Sequence, residues 1–379
     1  MRAILSRMIK TTVAVGVLVA AFGSAAYAQS DHAEPAVDAV FAAFATHSIV
    51  GLTEPHHGIA QEAEFYEAVI GDPRFASTVR NVVVEFAGAS RQGILNRYVN
   101  GDAVAYGELR QVWTDTVGLN PTVIHTSYAH FLAKVREVNR GLSPQERIRV
   151  WAGEPPIVWS NVHTNAEYTE IVATRDAHAA RLIVDQILKQ NEKALVIYGG
   201  GHFAPGPEEA ERSRELKTLD PTSRPRRNLQ ALVEADYPGS FFVVRIYLGF
   251  ENRSCTADFE RRFDRWPIPA IALIQSRSTL QRDIRRCGRP AGLQFFFPPD
   301  QPKKVREFLE RQIDDYLLLA DAVLFLGPAA GLTESPIFPD LYLDEQYRHE
   351  ISRQSEIKTG QALSESWGLD RPPTPRPLK

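Results

Sequence analysis

Five acid or base side chains, Glu54, His57, Glu85, Glu154 and His202, each stand at or just past the last apolar residues of a stretch that reads as a buried strand. An imidazole near its ordinary pKa can take a proton from water at neutral pH, and a carboxylate can fix its tautomer. Glu54 and His57 fall in Ser48-Ile49-Val50-Gly51-Leu52-Thr53-Glu54-Pro55-His56-His57-Gly58. His57 is the better candidate base of the two histidines there, because Gly58 beside it lets backbone approach a ligand. His202 closes the run Gly199-Gly200-Gly201-His202, whose amides can face an anion or a developing oxyanion. Arg175, followed by Asp176, interrupts an apolar helical stripe together with His178, and a buried guanidinium needs a carboxylate partner. Arg175 and Asp176 are therefore expected to support the cluster. Plainer readings stand beside these: Glu54 as a helix cap, Glu85 as one half of an ion pair, Glu154 before two prolines as a turn residue.

The elements that must position these residues alternate along the chain. Strands are expected at 48–52, Asn81 to Phe86, Arg147 to Ala152, Ala194 to Tyr198, Phe241 to Tyr247, Ile268 to Ile274 and Ala322 to Leu326. Helices are expected at Val37 to Phe44, after Ile59, and over 91–99, 104–113, 123–140, 166–190 and 301–317. Such alternation predicts an α/β fold with a largely parallel sheet and helices on both faces. In that architecture ligands bind beyond the carboxyl ends of the strands, which is where the five residues fall. Residues 204–227, rich in Pro, Glu and Arg, read as a long loop excursion and a candidate lid. No repeat or linker divides the chain. The expected organisation is a leader at 1–28, one α/β domain over 29–370 (site-bearing strands within 46–250, an extension over 251–370), and a Pro-rich tail at 371–379.

With 44% hydrophobic residues among 379, a sizeable core is available and wholesale disorder is excluded. Arg2, Arg7 and Lys10 precede the apolar run Val13 to Phe22 and then Ala26-Tyr27-Ala28. This is the pattern of a secretory signal cut after Ala28, and the run is shorter than the ~20 residues of a membrane span. An exported protein is expected, periplasmic if the source is bacterial, with no membrane association after cleavage. Cleavage removes those three basic residues and no acidic one, leaving 40 basic against 46 acidic residues. That balance argues against a nucleic-acid partner and leaves a small-molecule substrate as the expected one. In an oxidising compartment the two cysteines, Cys255 and Cys287, are expected to form a disulfide.

There is no G-x-S-x-G elbow, H-E-x-x-H helix, P-loop or G-x-G-x-x-G after a strand. The Gly51 to Gly58 run instead resembles the opening motif of erythromycin-esterase-like proteins, with Thr53 where that motif has glycine. The strand carrying Glu85, followed by Asn96-Arg97-Tyr98-Val99, is similar to that group's second motif. Arg175-Asp176 and the Ala194 to His202 segment resemble the wider superfamily, which includes ChaN-like haem-binding proteins and TIKI-like metalloproteases. The esterase branch implies a metal-free hydrolase: the residue matching His57 activates water, those matching Glu54 and Glu85 orient it, and that matching His202 assists. The TIKI-like branch implies a divalent metal on Glu54, His57, Glu85 and His202. The ChaN-like branch implies haem binding, often by a dimer, without catalysis, although the lipidation cysteine of those proteins is missing here.

Overall fold

Apolar residues on both sides of the central strands require cover on both faces, and the fold supplies it. A computed structural model describes residues 33–118, 125–204, 206–220, 227–291, 303–305, 307–308 and 316–363. The expected leader, the tail and most of the 301–317 helix lie outside these residues. Eight strands form one sheet: β1 (Ala33–Pro35), β2 (Ile49–Glu54), β3 (Arg80–Gly88), β4 (Arg149–Glu154), β5 (Lys193–Gly199), β6 (Phe241–Ile246), β7 (Ala270–Leu273) and β8 (Ala322–Phe325). Their order is β1-β7-β8-β6-β2-β5-β3-β4. The six strands from β8 to β4 are parallel, and β7 runs antiparallel to both its neighbours. Val50, Leu52, Val82, Val84, Leu195 and Ile197 point to one layer with the helices Ala36–Phe44, Ala60–Gly71 and Thr126–Arg140. Ile49, Val83, Val196 and Tyr198 point to the other, with Arg175–Gln186 and Leu229–Glu234. The molecule is an α/β protein with a mostly parallel sheet.

The strand order places the chemistry. β2, β5, β3 and β4 are consecutive in space, so Glu54, the glycine run, Glu85 and Glu154 lie side by side along one edge. Glu54 is directly opposite Gly199 in the ladder. Glu85 departs from expectation, because its strand does not end there but continues to Gly88. The β3–β4 register shifts between Val84 and Gly88, a bulge of the kind that re-aims a side chain. Gly88 is required where the strand ends: a Cβ there would sit 1.8 Å from the backbone oxygen of Asp115. Gly88→Ala is expected to destabilise the fold by about 1–3 kcal/mol, read as a lower denaturant midpoint.

The single long helix expected over 166–190 is two, Asn165–Val172 and Arg175–Gln186, with a 3₁₀ turn at Leu188–Gln190. The break at 173–174 puts Arg175 and Asp176 in the first turn of the second helix, aimed at the strand ends. The 204–227 excursion is not a plain loop. It contains a helix, Gly206–Leu219, built from good helix formers such as Glu, Ala, Arg and Leu, and none of its residues 210–219 is buried. Cys255 and Cys287 are joined, tying Arg253–Glu260 to Thr279–Cys287 on either side of β7. The extension after residue 251 completes the same sheet. Its last helix, Glu345–Thr359, returns to Asn165–Val172, where Arg353 donates to the carbonyls of Trp159 and Val162. Among the described residues no helix is long and apolar enough to cross a membrane.

Candidate active site

Glu54 ends β2 with its side chain almost wholly buried, and the tight loop Pro55–Gly58 folds His57 back over it. His57 Nδ1 lies 2.9 Å from Glu54 Oε2. Gly58 has φ +87°, and the His125 ring occupies the space a Cβ would need there. Glycine at 58 thus serves the turn and the packing of His125. His125 in turn bonds the Ser335 carbonyl, and His56 faces Glu334 at 3.5 Å. Neither imidazole joins the cluster.

Glu85 is the hub. One oxygen accepts from Arg175 Nη2, the other from the backbone N–H of Gly199. His202 Nε2 approaches it at 3.8 Å. Arg175 Nε also donates to Glu154 Oε1 at 2.5 Å, so one guanidinium bridges two buried carboxylates. His202 is held by Asp176 through Nδ1, and Asp176 also accepts from the Leu229 amide. The expected supporting pair therefore does two separate jobs: Arg175 neutralises and Asp176 orients. The glycine run is only partly available to an oxyanion, since Gly199 spends its N–H on Glu85. Gly200 is buried against the Tyr316 hydroxyl, and Gly201 is exposed with open space above it. One atom each of Glu54, His57 and Glu85 fall within 4.8 Å of one another, close enough to share a cation. Arg97 pairs with Glu108 at 2.6 Å on the surface and takes no part.

The two carboxylates on Arg175 titrate in opposite directions. Burial opposes charge on Glu85, but Arg175, His57, His202 and the Gly199 amide outweigh it and hold its pKa at about 2. Burial, with the Glu85 charge, lifts Glu154 to about 7 against the pull of Arg175. The difference follows from partners: among the described residues Glu154 Oε2 has no hydrogen bond, whereas both Glu85 oxygens do. Burial resists protonation of His57, yet Glu54 and Glu85 raise its pKa above the ordinary value, and Asp176 does the same for buried His202. Burial raises Glu54 despite its bond to His57. Glu85 is depressed, so its contribution to stability is complete above its ordinary 4.5 and disappears as pH falls towards 2. Melting temperature is expected to fall across that window in the native chain and to fall less steeply in Glu85→Gln.

No family profile and no curated protein sequence matches this chain. Among solved structures it is similar to a Bacillus cereus protein at 11% identity and a TM-score of 0.47, over 77% of this chain and 92% of that one. It is also similar to the type III effector HopBA1 at 15% identity and a TM-score of 0.31, over 59% of this chain and 90% of that one.

Sequence reasoning missed several buried groups around the site. Tyr198, the last side chain of β5 before the glycines, packs edge-on against His202 with ring centroids 5.3 Å apart, and its hydroxyl fills the space over Gly153. Lys358 reaches in from the last helix to the Gly118 carbonyl at 2.8 Å, and burial lowers it to about 7. Arg245, on β6 beside Thr53, donates to the Phe203 carbonyl at 2.5 Å and lies over the Tyr316 ring. Glu62 offered the one readable signal: it lies four residues before Tyr66 on the inner face of its helix, and the Tyr66 hydroxyl donates to it at 2.5 Å.

Proposed function

We propose that this chain is an exported hydrolase of the erythromycin-esterase-like superfamily that cleaves an ester, lactone or related bond of a small molecule. The observation that carries the reading is the pairing of His57 Nδ1 with buried Glu54. With Nδ1–H held by the carboxylate, Nε2 keeps a lone pair and serves as the base that takes a proton from water. Glu85, ionised and fixed from three sides, holds the second half of the site in place and favours the imidazolium that forms. His202, oriented by Asp176, supplies a proton to the leaving oxygen or a hydrogen bond to the oxyanion. The reading includes the leader cut after Ala28 and release as a protein free of the membrane.

A second reading, a divalent-metal-dependent hydrolase of the TIKI-like kind, is favoured by the closeness of Glu54, His57 and Glu85. There the imidazole would be a ligand and the metal would activate the water. Assay of an ester and lactone panel before and after exhaustive chelation separates the two. Unchanged turnover is the expected result, and loss restored by a divalent ion would replace the first reading with the second. Hemin titration of the same preparation covers the ChaN-like alternative, in which a Soret band appears without any turnover.

A further inference from the structure

Behind Glu54, on the side of the sheet covered by Ala60–Gly71 and Thr126–Arg140, lies a cavity of about 10 Å³ that the proposed chemistry does not use. Glu54, Glu62, Tyr66, Ser127 and Tyr128 line it, together with apolar residues such as Phe86. Among the described residues Glu62 Oε2 and Ser127 Oγ are buried without a hydrogen bond, and Tyr128 OH, which faces the Glu54 carboxylate, has none of full geometry. Buried polar atoms are almost always satisfied, and three of them around one space is the usual complement of an internal water. The volume is at the lower bound of what one water occupies. A second carboxylate facing the same space as Glu54 would repel it if ionised. Burial and the Glu54 charge push the Glu62 carboxyl well above the usual range. Two of the three polar atoms are hydroxyls, poorer ligands for a cation than carboxylates. A water fits the donors and acceptors better.

We propose that this cavity is a built water site, and that Glu62, acting through that water, is a positioning residue for the Glu54 carboxylate. The first half stands on geometry alone; the second rests on the proposed role of the His57–Glu54 pair. Tyr66 fixes one Glu62 oxygen, leaving the other to face the water, which Ser127 and Tyr128 complete, and the Tyr128 hydroxyl carries the contact on to Glu54. The carboxylate that holds His57 is thereby backed by a fixed dipole instead of a void.

The test begins with a crystal structure of the mature protein at a resolution that shows ordered water. One fully occupied water is expected about 2.7–3.2 Å from Glu62 Oε2, Ser127 Oγ and Tyr128 OH. An empty cavity, or a peak with the shorter distances of a metal ion, overturns the water site. For the positioning role, Glu62→Gln retains a donor and Glu62→Leu does not. Glu62→Leu is expected to lower kcat about tenfold with KM unchanged and to move the His57 ring ¹⁵N shifts, while Glu62→Gln stays within about threefold. Ser127→Ala, a milder change, should empty the site and move the same shifts if Glu62→Leu does not fold. Unmoved His57 shifts in a folded Glu62→Leu or Ser127→Ala variant overturn the positioning role. Density and nitrogen shifts need no turnover, so an inactive native chain would sink the hydrolase reading and leave this one to be judged separately.

Discussion

His57→Ala is expected to lower kcat/KM on any ester or lactone the protein hydrolyses by about 10²–10⁴-fold, the usual worth of a positioned general base. The loss should fall on kcat, because the imidazole does its work as the proton moves rather than in holding the ground state. Glu54→Gln should be milder and informative. The amide still reaches Nδ1, but it no longer favours the imidazolium, so the rate drops and the pH profile shifts together. In the native protein the ascending limb of kcat/KM should lie above the ordinary histidine range, since Glu54 and Glu85 outweigh burial and raise the His57 pKa. Base catalysis needs the unprotonated ring, so activity rises as pH passes upward through that value. His202→Ala should retain the limb while losing rate, which separates base from assistant. Full turnover by His57→Ala would remove the proposal.

Arg175→Met is expected to be the most destabilising single change at the site, costing about 3–5 kcal/mol, because it strands buried charge. Its guanidinium serves Glu85 and Glu154 at once, and both carboxyls are almost fully enclosed. Without it Glu85 would have to protonate or recruit water, and the Gly199 amide and His202 would lose a fixed partner. Thermal denaturation of the variant should show the fall. Adding Glu85→Gln and Glu154→Gln should recover part of it, since the charges that Arg175 compensates are then gone. If Arg175→Met melts with the native chain, the bridge is not a structural cation and the description of the site's electrostatics fails.

The residues of the site were legible where chemistry and position coincide. Glu54, His57, Glu154 and His202 lie at or past the ends of apolar strands and Glu85 lies near the end of one, and parallel strands present such ends on one edge. Arg175 was legible for a different reason: a charge inside an apolar stripe has to be paired. What one-dimensional pattern could not supply was spatial order. Nothing in residues 193–199 says that this strand enters between β2 and β3, yet that insertion brings the Gly199 amide to Glu85. Glu85 itself sits at a bulge inside a strand that runs on to Gly88, and the charge followed by small residues reads as a strand end. Lys358 and Ser335 come from more than 100 residues beyond the motifs and leave no local trace. The helix at Gly206–Leu219 was missed because its residues 210–219 bury no stripe, and the stripe is the signal.

The late arrival of β5 has a consequence for how the protein is made. β2 and β3 are each hydrogen-bonded to β5 and not to each other. Until residues 193–199 have emerged, both therefore present a bare edge across a gap of about two strand spacings, ~10 Å. A chain interrupted before that point would carry sticky, half-paired strands and an incomplete charged cluster, the sort of intermediate that aggregates or engages a holding chaperone. The proposed site would be completed at a single step, when the seven-residue strand carrying Tyr198 enters its slot and brings the imidazole of His202 in behind it.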